Sequence, residues 1–563
     1  MTTANQRLDQ LRADGTELEN HYIDELIAGR LNRRDFLRRG SVIGMSATTL
    51  GLIVSACGGV SSSGSASSSS PGGAPKASRG GTLRLAAVTP AGAINPITVA
   101  DSGGACMLAM TGEFLILDSN LQGRLVPMLA TSWAPNHDGS VWTVKLRSGV
   151  KFHNGQPFTA DDVVYTFQQL ANPKDASNAL SALTGVLSPS GVRKVDASTV
   201  AFHLEAPNGN FPYILSTDNY NAIIVPNGTD FKTWQKTFVG TGAFKLSGYT
   251  PNVGASFVAN PAYWGGKPYL DGVQYTFYAD QAPQITALAA GNVDAIPQIA
   301  AFGSESILHN SSVKVIKTTS ANHNELSMRC DQAPFTDQRV RQAMALALNR
   351  PQMIPALLSG YGTVGNDSPF GPRFASTDTS VPQRAQDLAK AKQLLAAAGH
   401  PNGFTVQLDT CQYEELAELA QVIKADAAKV GINLNLNVMT QTAYFGNSTY
   451  GNSPWLDATV SMVYYSDRGS PNVYLEAPLT SKGTWNAAHF HNKTYDGLVA
   501  QYVAAVDLQT QKQIAGKIEQ LLLAETPLII PYFSNNLTVA ASNVYGLDAT
   551  AEYQIFLSRA YKA

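Results

Sequence analysis

Cys57 is the residue whose placement says most about chemistry. It closes the tetrapeptide Val54-Ser55-Ala56-Cys57, which resembles a bacterial lipobox, so cleavage before it would leave a thiol to carry acyl chains. Arg30, Arg33, Arg34, Arg38 and Arg39 precede it, followed by the uncharged run Gly40 to Ala56. A basic start, an apolar core and small residues before a cleavage point make an export signal. Arg33 and Arg34 lie in Asn32-Arg33-Arg34-Asp35-Phe36-Leu37-Arg38, similar to a twin-arginine motif with Asn where Ser or Thr is usual. An ordinary Sec signal is the alternative. Other groups point less far. His489 and His491 flank Phe490 and put two imidazoles on one side of an extended segment, yet no cysteine or carboxylate nearby completes a metal set. A surface pair is the expectation, with no metal and no cofactor. Asp161 and Asp162 read as helix-capping acids. The chain contains no G-x-S-x-G, H-E-x-x-H or G-x-x-x-x-G-K-[ST] pattern.

Behind Cys57 the chain to Gly80 is almost entirely Gly, Ser, Ala and Pro. Such a stretch cannot bury a core and behaves as a tether spanning roughly 25–30 Å root-mean-square. Roughly 480 residues remain, enough for two or three domains. A formal charge of −2 and a 44% hydrophobic content describe a globular body without a nucleic-acid footprint. Cys106, Cys330 and Cys411 are odd in number, which allows one disulfide and one free thiol without saying which.

The body alternates short strand patterns with helix patterns, an α/β reading. "LRLAAV" is a first strand, and "SVWTVKLRSGVKF" alternates after the Asp138-Gly139 turn. Thr159 and Asp162 form a capping box before Val163, Val164, Phe167 and Leu170 at helical spacing. Val340, Ala343, Met344, Ala347 and Leu348 make an apolar stripe. A helix through Leu388 and Leu395 should stop at Gly399, and another from Tyr413 to Val430 at Gly431. "INLNLNV" then reads as a strand with one wet face, completing a crossover unit.

Several blocks carry a family resemblance. "PMLATSWAPNHDGSVWTVKLRSGVKFHNGQPFTADDVVYTF" (Pro127 to Phe167) is similar to the signature of family 5 extracellular solute-binding proteins, the oligopeptide-, dipeptide- and nickel-binding receptors of bacterial ABC importers. "GTGAFKL", "NPAYWGGKPYLDGVQY", "ALAAGNVDAI", "PFTDQRVRQAMALALNR", "AKQLLAAAGHPNGF" and "PLIIPYF" follow in the family's order. Within them Trp133, Trp142 and Trp264 read as core, and His153 as a hydrogen-bonded loop residue.

The resemblance implies a two-lobed periplasmic-binding-protein-like α/β fold with a ligand cleft between lobes and an extra subdomain. The expected division is 1–56 export signal, 57–80 lipidated cysteine and tether, 81–122 with 236–325 and 535–563 as lobe I, 123–235 as the extra subdomain, and 326–534 as lobe II. Crossings near 326 and 535 would be the hinge. It also implies a non-enzymatic, monomeric receptor, exported and lipid-anchored or periplasmic. Such a receptor would hand a small solute, peptide or peptide-like, to ABC permease and ATPase subunits. A ligand-sensing lipoprotein of the same fold and an exported hydrolase are the alternatives.

Peptide-binding relatives hold the ligand's amino group with an aspartate in a D-x-x-x-P segment. "YYSDRGSPNVY" offers Asp467, Pro471 and Tyr464, the last where a tryptophan is usual. A buried ammonium needs an opposite charge and hydrogen bonds, which Asp467 would supply. Tyr464 and Tyr465 would add apolar area with a polar tip, and Trp485 would line the pocket. No basic residue lies between Phe404 and Lys424, where dipeptide binders are expected to carry an arginine for the ligand's carboxylate. Arg329 is the substitute, unless it pairs with Asp331 or Asp337.

Overall fold

A computed structural model describes residues 76–119 and 124–563. The export motif at Arg33 and Arg34, the lipobox at Cys57 and most of the tether lie outside the described residues.

Local rules set the elements. Thr159 accepts from the Asp161 amide, and the Asp162 carboxylate reaches back to the Thr159 amide at 2.7 Å. The helix Ala160–Leu170 starts there and buries Val163, Phe167 and Leu170. Gly399 adopts φ +88° just past helix Leu388–Ala397, a backbone region where side chains are strained. Strand Phe404–Gln412, helix Leu416–Ala428 and strand Ile432–Thr440 form the crossover unit, with the two strands parallel in register from Phe404 opposite Ile432. The helix begins later than the periodicity suggests, because Glu414 takes φ +46° and delays it.

Two mixed sheets form the two lobes. The first runs, edge to edge, Val313–Thr318, Asn536–Ala541, Ala295–Ile299, Thr82–Val88, Gly272–Tyr278, Gly254–Ala259 and Phe244–Thr250. The second runs Gly362–Val364, Tyr532–Ser534, His323–Met328, Val460–Tyr465, Phe404–Gln412 and Ile432–Thr440, with Leu528–Ile529 paired to its centre. A four-stranded antiparallel sheet, Ala130–Pro135, Val141–Leu146, Thr199–His203 and Val192–Asp196, shares one continuous core with the first lobe. Trp142 is buried in that core, whereas Trp133 and Trp264 pack on it half-buried.

The chain passes between the two large sheets at 319–322 and again at 535, the first crossing a few residues before the position the sequence suggests. The crossings are tied side by side. Ser320 Oγ donates to the Ser534 carbonyl (2.6 Å), the Ser534 amide to the Asn322 carbonyl (2.9 Å), and Asn322 Nδ2 to Asn536 Oδ1 (2.6 Å). Short neighbouring crossings of this kind let two bodies rotate about one line. Cys106, Cys330 and Cys411 are all free thiols.

Candidate functional site

The second lobe's strand Val460–Tyr465 ends at the cleft, and the loop after it places the chemistry. Alternation along the strand sends Tyr464 and Tyr465 to opposite faces. Tyr465 meets the rings of His323 (5.5 Å), Tyr474 (5.9 Å) and Trp485 (6.1 Å). Tyr464 stands edge-on to Tyr413 at 5.4 Å. Tyr464, Tyr465 and Trp485 line a cavity of about 680 Å³ between the lobes, within the size range of small-molecule sites. Tyr220 and Asn221 face them from the first lobe and Tyr553 from the C-terminal segment.

Asp467 takes another course. Its carboxylate is fully buried, accepts from the Ala321 amide at the first lobe crossing, and pairs with Arg373 Nε at 2.8 Å. Arg373 continues across the cleft, its Nη2 reaching Asp118 (2.8 Å) and Asp218 (2.6 Å). One guanidinium of the second lobe thus joins carboxylates from both sides. Burial pushes the Asp467 carboxyl up to about 6 despite Arg373, and raises Asp218 well above the usual range, with Asp118 adding to it. Asp467 does not line the cavity, and its Oδ2, beside Arg373 Nε, has no hydrogen-bond partner among the described residues.

Gly469 shows why the loop has its sequence. A Cβ there would sit 2.1 Å from Asp218 Oδ2, so a side chain would collide with the carboxylate that Arg373 holds. Arg468 donates from Nη1 to Ser466 Oγ (2.8 Å) and to the Asp467 carbonyl (2.7 Å), and lines the cavity. Pro471 precedes the short helix Asn472–Glu476.

Arg329 does not reach this cavity. Asp331 holds it through Nε (2.7 Å) and Nη2 (2.8 Å), and the Asp457 carbonyl accepts from Nη1 (3.0 Å). The fork geometry of a guanidinium favours such a two-point partner two residues away. His489 contacts the Leu456 carbonyl (3.1 Å) and Asp331 (3.4 Å). Among the described residues no cluster of His, Cys, Asp and Glu could hold a metal ion. His153 is a hydrogen-bonded loop residue, its Nε2 2.9 Å from the Gly242 carbonyl.

Sequence reasoning did not find Arg373, Asp118, Asp218, Glu552 or Tyr553. None sits in a motif, and their common location arises from segments up to 435 positions apart, as Asp118 and Tyr553 illustrate. The φ of +68° at Tyr553, a strained position for a non-glycine residue, is visible only in the backbone.

Comparison with known proteins agrees with this architecture. Residues 124–486 match the family model described as bacterial extracellular solute-binding proteins, family 5. The chain is 28% identical to heme-binding protein A of Haemophilus influenzae over 72% of its own length and 78% of the relative's. It is 26% identical to the oligopeptide-binding protein AppA of Bacillus subtilis, covering 88% of this chain and 94% of that one. Among solved structures, HbpA2 from Haemophilus parasuis superposes with a TM-score of 0.75 at 22% identity, over 86% of this chain and all of that one.

Proposed function

The chain belongs to family 5 of the bacterial extracellular solute-binding proteins, and from that premise we propose that it is the substrate-binding receptor of an ABC importer. It takes a peptide or peptide-like solute into the cleft and delivers it to a membrane permease driven by ATPase subunits. The observation that carries this reading is the cavity of about 680 Å³ between the lobes, walled by aromatic side chains from both. Aromatic walls accept varied side chains, because their area and faces are useful to many apolar groups. Relatives named for dipeptides in Escherichia coli and for oligopeptides in Bacillus subtilis support the peptide class.

In this reading Tyr464, Tyr465 and Trp485 supply the ligand's apolar contacts. Asp467 acts indirectly, by holding Arg373 and the first crossing together. The receptor is a monomer that performs no covalent chemistry. The sequence Val54 to Cys57 and the tether behind it support a lipid anchor at Cys57 on the outer face of the cytoplasmic membrane, after export directed by Arg33 and Arg34. Several acyl chains would hold firmly, since each buried methylene adds about 0.8 kcal/mol.

Native mass spectrometry of the purified full-length protein tests the reading. The expected result is one small solute per chain, released on denaturation and recovered unchanged after rebinding. Conversion of the bound compound to a product would contradict it.

A further inference from the structure

The subdomain built on the four-stranded sheet meets the second lobe at the turn 208–210. Within the subdomain that turn is fixed: Trp142 Nε1 donates to the Asn208 carbonyl (3.1 Å), and the Asn208 amide donates to the Gly139 carbonyl (3.1 Å). From there bonds cross to the other lobe. The Gly209 amide donates to the Val503 carbonyl (2.8 Å), near the end of helix Lys493–Ala504. Asn210 Nδ2 donates to Asn472 Oδ1 (2.8 Å), and Gln511 Nε2 donates to Asn210 Oδ1 (3.1 Å). Asn208, Asn210, Asn472 and Gln511 are all buried, where an amide that lost its partner would be costly until water reached it. None of these groups carries a charge.

We propose that the turn 208–210 is a clasp that engages the second lobe when the lobes close on a guest, and that it sets how long the guest stays. The proposal rests on the peptide-receptor reading above. Three features support it. Positions 208–210 precede the crossing at 319–322, whereas Asn472, Val503 and Gln511 lie between the two crossings, so rotation about the crossings parts them. A Cβ on Gly209 would stand 1.8 Å from the Ala505 carbonyl oxygen, with Val506 next to it. The φ of Gly209 lies outside the left-handed region, so it is the approach of the second lobe, and not the turn itself, that requires glycine. Asn208, Asn472 and Val503 also wall a second chamber of about 170 Å³, which shares Asp218, Asn219 and Arg468 with the main cavity. A chamber of that size holds a ring-sized group, so a guest that extends past Arg468 lies against the clasp. Being neutral, the clasp answers to occupancy and not to salt.

Exchange of a bound tripeptide library tests this with full-length protein. Wild type and variants are loaded with the library and chased with the same library in heavy isotope, and native mass spectrometry follows the replacement. Gly209→Ala and Asn472→Ala should each release peptide at least tenfold faster than wild type, with association slowed less than threefold. The acceleration should be the same at about 50 and about 500 mM sodium chloride. Asn210→Ala should act alike, and adding Asn472→Ala to it should speed release less than twofold further, as two ends of one contact do. The melting temperature of ligand-free Gly209→Ala should stay within about 2 °C of wild type, because the collision arises only across the lobe boundary. Release rates within twofold of wild type would overturn the proposal. So would a clearly lower ligand-free melting temperature, which would make the turn a permanent part of the fold; both results leave the receptor reading standing. Retention of no peptide by wild type would instead overturn the peptide reading, and this proposal with it.

Discussion

Two buried arginine–aspartate clusters in this molecule are built on opposite plans. Inside the second lobe, Asp367 sits between two guanidiniums. Arg350 Nη2 meets both its oxygens at 2.9 Å, and Arg384 Nη1 meets one at 2.6 Å. The Ile530 amide adds a further bond (3.2 Å). At the cleft the ratio is reversed, with Arg373 among Asp118, Asp218 and Asp467. The first cluster joins parts of one lobe, and carbonyl oxygens of Arg384 and Leu523 accept from its guanidiniums, leaving Arg350 Nε without a hydrogen-bond partner among the described residues. The second joins different lobes and is left with surplus acceptors and negative charge. An interior cluster can draw most of its partners from the surrounding backbone, whereas a cleft that must take a guest leaves part of its polarity for the guest.

That contrast breaks most visibly at Arg373. Arg373→Gln should cost about 3–5 kcal/mol, the usual penalty for stranding buried charge, and should also weaken peptide binding at least tenfold. Chemical denaturation and calorimetric titration check the two halves. Asp367→Asn should cost a similar or slightly smaller amount, about 3 kcal/mol, yet leave the affinity within twofold. Equal losses of affinity in both variants would erase the distinction between the clusters.

Gly469→Ala should have a smaller effect. The new methyl must push on Asp218, which costs about 1–3 kcal/mol as overpacking does and should lower affinity more than stability, because Asp218 is one end of the inter-lobe link.

The smallest expected effect is on pH dependence. Asp467, raised to about 6 by burial, and Asp218 and Glu552, raised well above the ordinary carboxylate range by burial, hold protons in the folded chain that the unfolded chain releases nearer pH 4. Groups of this sign stabilise fully below the unfolded value, and the contribution is lost as pH rises through about 6. Arg373 and Arg468 oppose the shift without cancelling it. The melting temperature of ligand-free protein should therefore fall by about 2–4 °C from pH 5 to 7.5. Glu552→Gln should reduce that slope.

The parts of the molecule that follow from local periodicity could be read from the chain. The capping box at Thr159 and Asp162 and the glycine stop at 399 each depend on residues within one or two turns of one another, and the parallel pair around Leu416–Ala428 on one uninterrupted strand–helix–strand run. Glu414 shifted a helix start, because a left-handed non-glycine residue has no compositional signature. The cleft divides in the same way. Tyr464 and Tyr465 sit on one strand and Trp485 in one loop, so a local motif finds them. The Arg373 link draws on positions 118, 218, 373 and 467, and Glu552 arrives from the last turns of the chain. No pattern short enough to recognise spans them. Arg468 adjoins Asp467 in sequence, yet the carboxylate faces the guanidinium of Arg373, 94 positions upstream.

The central claim is that the two lobes swing together over a dissolved guest. Small-angle scattering of the full-length protein, with and without a saturating peptide, measures it directly. The account predicts a smaller radius of gyration and a loss of the cleft's contribution to the curve when peptide is bound. Superimposable curves from free and fully occupied protein would contradict it.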